Sequence, residues 1–188
     1  MTLDEKVLLA AEKICACFDR GGKLLLCGNG GSAADCAHIA GELAKGFLKK
    51  RPLSQEFCDA IGEEWAKKLQ GGLPAIDLCA NSGLMTAIIN DIEGASVFAQ
   101  QVAAYGRKGD VIIGISTSGN AENVGRALKT AKALGMYTIG MTGESGGKMK
   151  DICDLLLNVD ENETYKIQEK HLPMYHQLCI LIEERQFP

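Results

Sequence analysis

Positive charge is in short supply. The chain carries 20 Lys and Arg against 24 Asp and Glu, a net charge of −4, whereas a domain dedicated to nucleic acid is ordinarily basic. Nucleic acid is therefore not expected as a partner. An anionic small molecule is not excluded, because it meets local donors rather than the net charge. No apolar run nears the roughly 18 residues needed to cross a bilayer, so no membrane association is expected. The opening Met1-Thr-Leu-Asp-Glu5 has neither a basic region nor an apolar stretch of the leader type. The expected location is the cytoplasm. Cysteine is not scarce, but its eight copies form no C-x-x-C and sit mostly inside apolar runs. They read as reduced, small core residues rather than a disulfide framework. Histidine is limited to His38, His171 and His176, and Trp65 is the only tryptophan. There is no internal repeat and no low-complexity segment, and 188 residues suit a single domain with a full core.

Glycine is what the chain has in quantity, 22 residues in all, and two junctions use it in the same way. Lys23-Leu-Leu-Leu-Cys27 runs into Gly28-Asn29-Gly30-Gly31-Ser32, and Asp110-Val-Ile-Ile-Gly-Ile115 runs into Ser116-Thr117-Ser118-Gly119-Asn120. Each reads as a buried parallel strand, a tight turn of small or hydroxylated residues, and then a helix. That arrangement sets backbone N–H groups and a helix N-terminus beside the strand's carboxyl end, a place that favours phosphate. Neither junction matches the dinucleotide G-x-G-x-x-G or the nucleotide P-loop, since no Lys follows the glycines. A phosphorylated small molecule is the better fit.

Helical spacing of Leu3, Val7, Ala10, Ala11, Ile14 and Phe18 predicts a helix over 2–20, closed by Gly21-Gly22. Its stripe, close to the spacing of packed helix seams, serves either an oligomer interface or the local core. Strands are predicted at 23–27, 75–79, 110–115, 137–141 and 155–159, too apolar to alternate, as expected when both faces are covered. Helices are predicted at 32–48, within 84–106, at 121–134 and over much of 167–185. The alternation predicts an α/β fold, a doubly wound five-stranded parallel sheet flanked by helices. A helical insertion at about 51–72 interrupts the rhythm, with Phe57, Ile61, Trp65 and Leu69 on one face. It reads as a surface helix covering core, as a lid, or as a subunit contact.

His38 and Glu42 stand i, i+4 on the helix after the first junction, as either a surface pair or a proton-transfer pair. Gln168 and His176 lie about 12 Å apart along a regular helix and about 80° around it. They converge only through their side chains or a bend. Pro173 either supplies that bend or begins the helix.

Taken together, Asn29-Gly-Gly-Ser32, His38-x-x-x-Glu42, Asn90-Asp91, Ser116-Thr-Ser-Gly-Asn120 and Gln168-Glu-x-His171 with the later His176 resemble the sugar isomerase (SIS) domain. More narrowly, the set resembles its phosphoheptose isomerase branch, along nearly the whole of residues 1–188. The resemblance implies a single domain with flavodoxin-like strand order. It also implies an aldose–ketose isomerase that turns sedoheptulose 7-phosphate into D-glycero-D-manno-heptose 7-phosphate through an enediol. It assigns substrate contacts to Asn29, Gly30, Gly31, Ser32, Asn90, Asp91 and Gln168, and the phosphate to Ser116, Thr117 and Ser118. Glu42 becomes the general base and His176 its acid partner. Zinc is implied at His38, Glu42, Gln168 and His176, and a homotetramer with sites shared between subunits. Three departures stand out: Ala121 where the family has serine, Gly46 where it has arginine (with Lys45 or Arg51 as substitutes), and the insertion. Two alternatives follow, an isomerase of another sugar phosphate and a scaffold of the replication-initiator-associating type. The same fold serves sugar-phosphate-sensing regulators.

Overall fold

The computed structural model describes residues 1–188 throughout. Helix α1 (Leu3–Phe18) opens on a capping box between Thr2 and Glu5. Strand β1 (Leu24–Gly28) leads into α2 (Gly31–Ala44). Two short helices follow, α3 (Gln55–Ile61) and α4 (Glu63–Ala66), before β2 (Ala75–Asp77). Next come α5 (Ser82–Asp91), α6 (Val97–Tyr105), β3 (Val111–Ile115) and α7 (Glu122–Ala133). The chain ends with β4 (Tyr137–Thr142), β5 (Leu155–Asn158) and the long α8 (Thr164–Gln186).

All five strands run parallel in the order β2-β1-β3-β4-β5, the flavodoxin-like arrangement expected from the motif set. The apolar strands are shared between two cores by simple period-2 alternation. Leu24, Leu26, Val111, Ile113 and Ile115 face the larger cluster, beneath α1, α2 and α8. Leu25, Cys27 and Ile112 face the smaller one, with residues of α6 and α7. Each such side chain, fully buried, contributes roughly 1.5–3 kcal/mol. The order reverses at β1, whose neighbours are β2 on one side and β3 on the other. The crevice at such a reversal, beyond the strands' carboxyl ends, is where open α/β sheets bind ligands. Gly28 and Ile115, the last residues of β1 and β3, are register partners, so both glycine-rich turns open onto that crevice.

Several expectations change in detail. The stripe on α1 is spent within the chain: Val7, Ala10 and Ile14 are buried in the larger cluster, so it argues for local core rather than for association. The insertion does not cover core either. Gly62, at φ 85°, ends α3 and starts α4, which breaks the single predicted helix. Phe57, Trp65 and Leu69 remain exposed. Pro173 lies inside α8 rather than at its start. The pattern within 84–106 resolves into α5 and α6, separated by a turn at Gly94–Ser96.

Candidate functional site

The two helices that follow the junctions lack a side-chain cap. Thr2, Ser54 and Asn81 cap α1, α3 and α5 with side-chain oxygens. The N-cap positions of α2 and α7 are Gly30 and Ala121, which offer none. The Ser32 and Ala33 N–H groups already donate to the Asn29 and Gly30 carbonyls, and the Val124 N–H to Asn123 Oδ1, which leaves the first N–H groups of each helix and the positive ends of the dipoles for an external acceptor. The two turns are clasped by Asn29 and Asn123, whose side-chain amides exchange hydrogen bonds of 2.9 and 2.8 Å.

The Ser116–Asn120 turn is held from behind by the loop after β4. Gly143 N–H donates to the Thr117 carbonyl, and Lys148 N–H to Asn120 Oδ1 at 3.1 Å. Gly119 has φ +66° and no room for a Cβ against the Gly146 carbonyl, so only glycine closes this turn. Ser116 is buried and accepts from the Ala121 N–H through its hydroxyl at 3.4 Å. Ser118 is exposed, and its hydroxyl accepts from the Asn120 N–H at 3.2 Å.

A second group forms where α8 packs on α2. His38 Nε2 lies 3.3 Å from Glu42 Oε1, and Lys45 Nζ lies 3.2 Å from Glu42 Oε2. The His38 and His176 rings meet edge to face at 5.1 Å between centroids, and Phe47 packs on His176 at 5.6 Å. His176 Nε2 is buried and has no hydrogen-bond partner. Sequence reading predicted His38, Glu42 and His176, and one chain brings all three together. Gln168 is placed elsewhere. Its side-chain amide covers Gly31 at the start of α2, where a Cβ would overlap it. The separation has a simple cause: eight helical residues carry Gln168 about 12 Å from His176 along α8, and α8 holds no reversal. Asn90 and Asp91 bond to each other at 2.8 Å, exposed at the end of α5, with no hydrogen bond to the rest of the set.

Sequence reasoning missed Tyr175, Asp35 and Glu183. The Tyr175 hydroxyl lies 2.9 Å from His38 Nδ1, which directs Nε2 to Glu42. Burial and the neighbouring Asp35 push that hydroxyl's pKa up, and burial pushes the Asp35 carboxyl up as well. The available signal was spacing: Gly31 to Gln168 and His38 to Tyr175 share one separation of 137 residues, as two helices running in step require.

Arg51 proves to be a structural cation. Its guanidinium is fully buried and donates to the Leu43 carbonyl at 2.5 Å, the Glu42 carbonyl at 2.8 Å and Glu183 Oε1 at 2.8 Å. Glu183 in turn accepts from the N–H groups of Phe47, Leu48 and Lys49. Burial alone would raise the Glu183 carboxyl, but those N–H groups and Arg51 outweigh it and hold it low. Of the two substitutes considered for the arginine missing at Gly46, Arg51 braces the end of α2 and Lys45 faces Glu42.

The chain's one group of three His, Cys, Asp or Glu ligand atoms within 4.8 Å of one another lies apart from the imidazoles, at Cys36, Asp77 and Cys79. No helix is long and apolar enough to cross a membrane.

Residues 1–143 match the SIS domain family. The chain is 45% identical to a phosphoheptose isomerase of Desulfovibrio desulfuricans over 92% of its own length and 73% of the relative's. It is 44% identical to that of Burkholderia pseudomallei, over 100% and 87%. The solved phosphoheptose isomerase of Neisseria gonorrhoeae superposes with a TM-score of 0.80 at 38% identity, covering 96% of this chain and 86% of that one. The chain belongs to the phosphoheptose isomerase family of SIS-domain proteins.

Proposed function

We propose that the crevice between β1 and β3 isomerises sedoheptulose 7-phosphate, with the phosphate on the Ser116–Asn120 turn and the α7 N-terminus. The sugar then extends past Asn29, Gly30, Gly31 and Ser32 toward α2. The observation that carries this reading is the meeting of Glu42, His38 and His176 on the seam of α2 and α8, α2 being the helix that starts at the strand reversal. A ketose–aldose exchange moves one proton between C1 and C2 and redistributes protons on the two oxygens, so it needs a carboxylate base and a second donor. Glu42 takes the carbon-bound proton from C1, leaving an enediol, and returns it to C2. His176 exchanges protons with the oxygens, its unpartnered Nε2 being the ring atom that a substrate oxygen would satisfy. Asn90, Asp91 and Gln168 complete the sugar contacts.

Two imidazoles and a carboxylate are donors of the kind zinc takes, and the orphaned His176 nitrogen fits such a ligand. His38, Glu42 and His176 would hold it, whereas Gln168 of the same chain, which lies over Gly31 and about 12 Å along α8 from His176, is not placed to be the fourth donor. Bound there, zinc would act as a Lewis acid on a sugar oxygen.

Assembly is proposed to be a homotetramer whose sites draw on neighbouring chains, the exposed Phe57–Trp65–Leu69 face serving as one contact. The eight free thiols suit the reducing cytoplasm. The deciding test is turnover across C5 to C7 sugar phosphates, with and without added zinc. Preference for the heptose phosphate is expected, and equal or faster turnover of a shorter sugar would overturn the substrate.

A further inference from the structure

The Cys36, Asp77 and Cys79 group has no part in the chemistry above. Cys36 is fully buried on α2, and Asp77 and Cys79 are half-buried where β2 ends. Asp77 and Cys79 share one turn at the end of β2, and the fold brings Cys36 to them from α2. Cys36 and His38 are close in sequence, but two helical residues place them about 200° apart around the axis. The thiol therefore faces away from the imidazole cluster.

We propose that Cys36, Asp77 and Cys79 form a second binding site for a soft divalent cation, Zn²⁺ or its thiophilic analogue Cd²⁺. The spacing supports it. Zn–S bonds of about 2.3 Å in a tetrahedron put ligand atoms about 3.8 Å apart, and the three ligand atoms here already lie within 4.8 Å of one another. Adjustments of about an ångström complete the triangle. The donor types support it too: two thiolates select zinc-like cations over magnesium or calcium, and the carboxylate suits zinc among them.

Asp77 is held for the purpose. The Cys79 N–H donates to its Oδ1 at 2.8 Å, which fixes the carboxylate and leaves Oδ2 for the ion. A cavity of about 280 Å³ lined by Ile76, Asp77, Ala80, Asn81, Gln101 and Tyr105 gives access from the carboxylate side. The Gly28 carbonyl, 3.3 Å from the Cys79 sulfur, adjoins the fourth position. Binding expels the two thiol protons to solvent. An ion here would tie together the ends of β1 and β2 and the first half of α2, the segments that frame the Asn29–Ser32 turn. Its role is structural, and it does not depend on the sugar or on the proton-transfer assignments.

The test is a titration of the fully reduced full-length chain with Cd²⁺ in metal-free buffer, read by the ultraviolet sulfur-to-cadmium charge-transfer band, which imidazoles do not give. One Cd²⁺ per chain is expected. Cys36→Ser and Cys79→Ser should remove the band. Asp77→Asn should weaken affinity on the order of tenfold, as loss of a charged ligand does. His38→Gln and His176→Gln should leave the band in place, as should Cys58→Ser and Cys153→Ser. If Cys36→Ser fails to fold, Cys79→Ser decides, its side chain being only half-buried. Absence of the band in the wild-type chain, or its survival in Cys79→Ser, overturns the site.

Discussion

Arg51→Met should destabilise the chain more than any substitution in the catalytic set, although Arg51 touches no substrate. Three losses combine. Glu183 keeps its charge at 1% exposure without its cation, and the carbonyls of Glu42 and Leu43 lose their donors. Removing one partner of a buried ion pair costs about 3–5 kcal/mol. For a chain of this size each kcal/mol moves the midpoint by roughly 2–4 °C. A fall of about 6–20 °C in Tm follows. Replacing Glu183 by Leu in the same protein should not restore stability, as it can for simple buried pairs. The N–H groups of Phe47, Leu48 and Lys49 would then lose their acceptor, at about 1–3 kcal/mol for each one left buried. Below the melting transition, kcat should fall more than KM, because the loosened element is the end of α2 that carries Glu42. The assay is thermal unfolding by circular dichroism, with turnover measured well below the lower Tm. A Tm for Arg51→Met within 2 °C of wild type would refute the reasoning (roughly 1 kcal/mol or less).

Glu183 also sets an acid limit. Its folded pKa lies below the ordinary carboxylate value, so its stabilisation is full above that value and lost as pH falls through the folded one. The stability gap between wild type and Glu183→Gln, measured by urea unfolding, should therefore close on acidification; a gap that widens contradicts the assignment. Glu42→Gln should abolish turnover and leave phosphate binding nearly unchanged, as read by calorimetry; wild-type activity in that protein ends the base assignment. His176→Gln should lose most activity. His171→Gln should keep its kcat and lose stability by about 1–3 kcal/mol, since His171 is buried against the Thr142 carbonyl. Gly119→Ala should weaken phosphate affinity roughly tenfold or more, because the added Cβ meets the Gly146 carbonyl and the positive φ is strained. Trp65→Glu should lower the assembly mass in light scattering, and an unchanged tetramer would remove the insertion from the interface.

The strands were legible because their apolar runs are short and bounded by glycine, as at Leu24–Gly28 and Val111–Ile115. The crevice was legible because both turns follow such runs. The insertion was not. The i, i+4 pattern from Phe57 to Leu69 describes a helix whether or not its face meets the chain's own core, and Gly62 permits the break that periodicity cannot weigh. Nor could sequence reveal that Arg51 and Glu183, 132 residues apart, share one buried pocket. Ion pairs between distant segments leave no local signature. Tyr175 lay beside a predicted residue, but its role depends on which face of α8 meets α2.

The matched advance of α2 and α8 has a consequence for how the site can change. Gln168 sits on Gly31, and Tyr175 bonds His38 seven residues further along both helices. Glu183 then anchors the segment just past α2. With three such ties the pair behaves as a single bar, and Glu42 keeps its position relative to His176 whatever happens at the mouth of the crevice. Loops across the sheet can then be lengthened, shortened or recharged without retuning the proton transfer. A new sugar can be admitted by reshaping the loops around the crevice while the proton-transfer pair on α2 and α8 stays as it was.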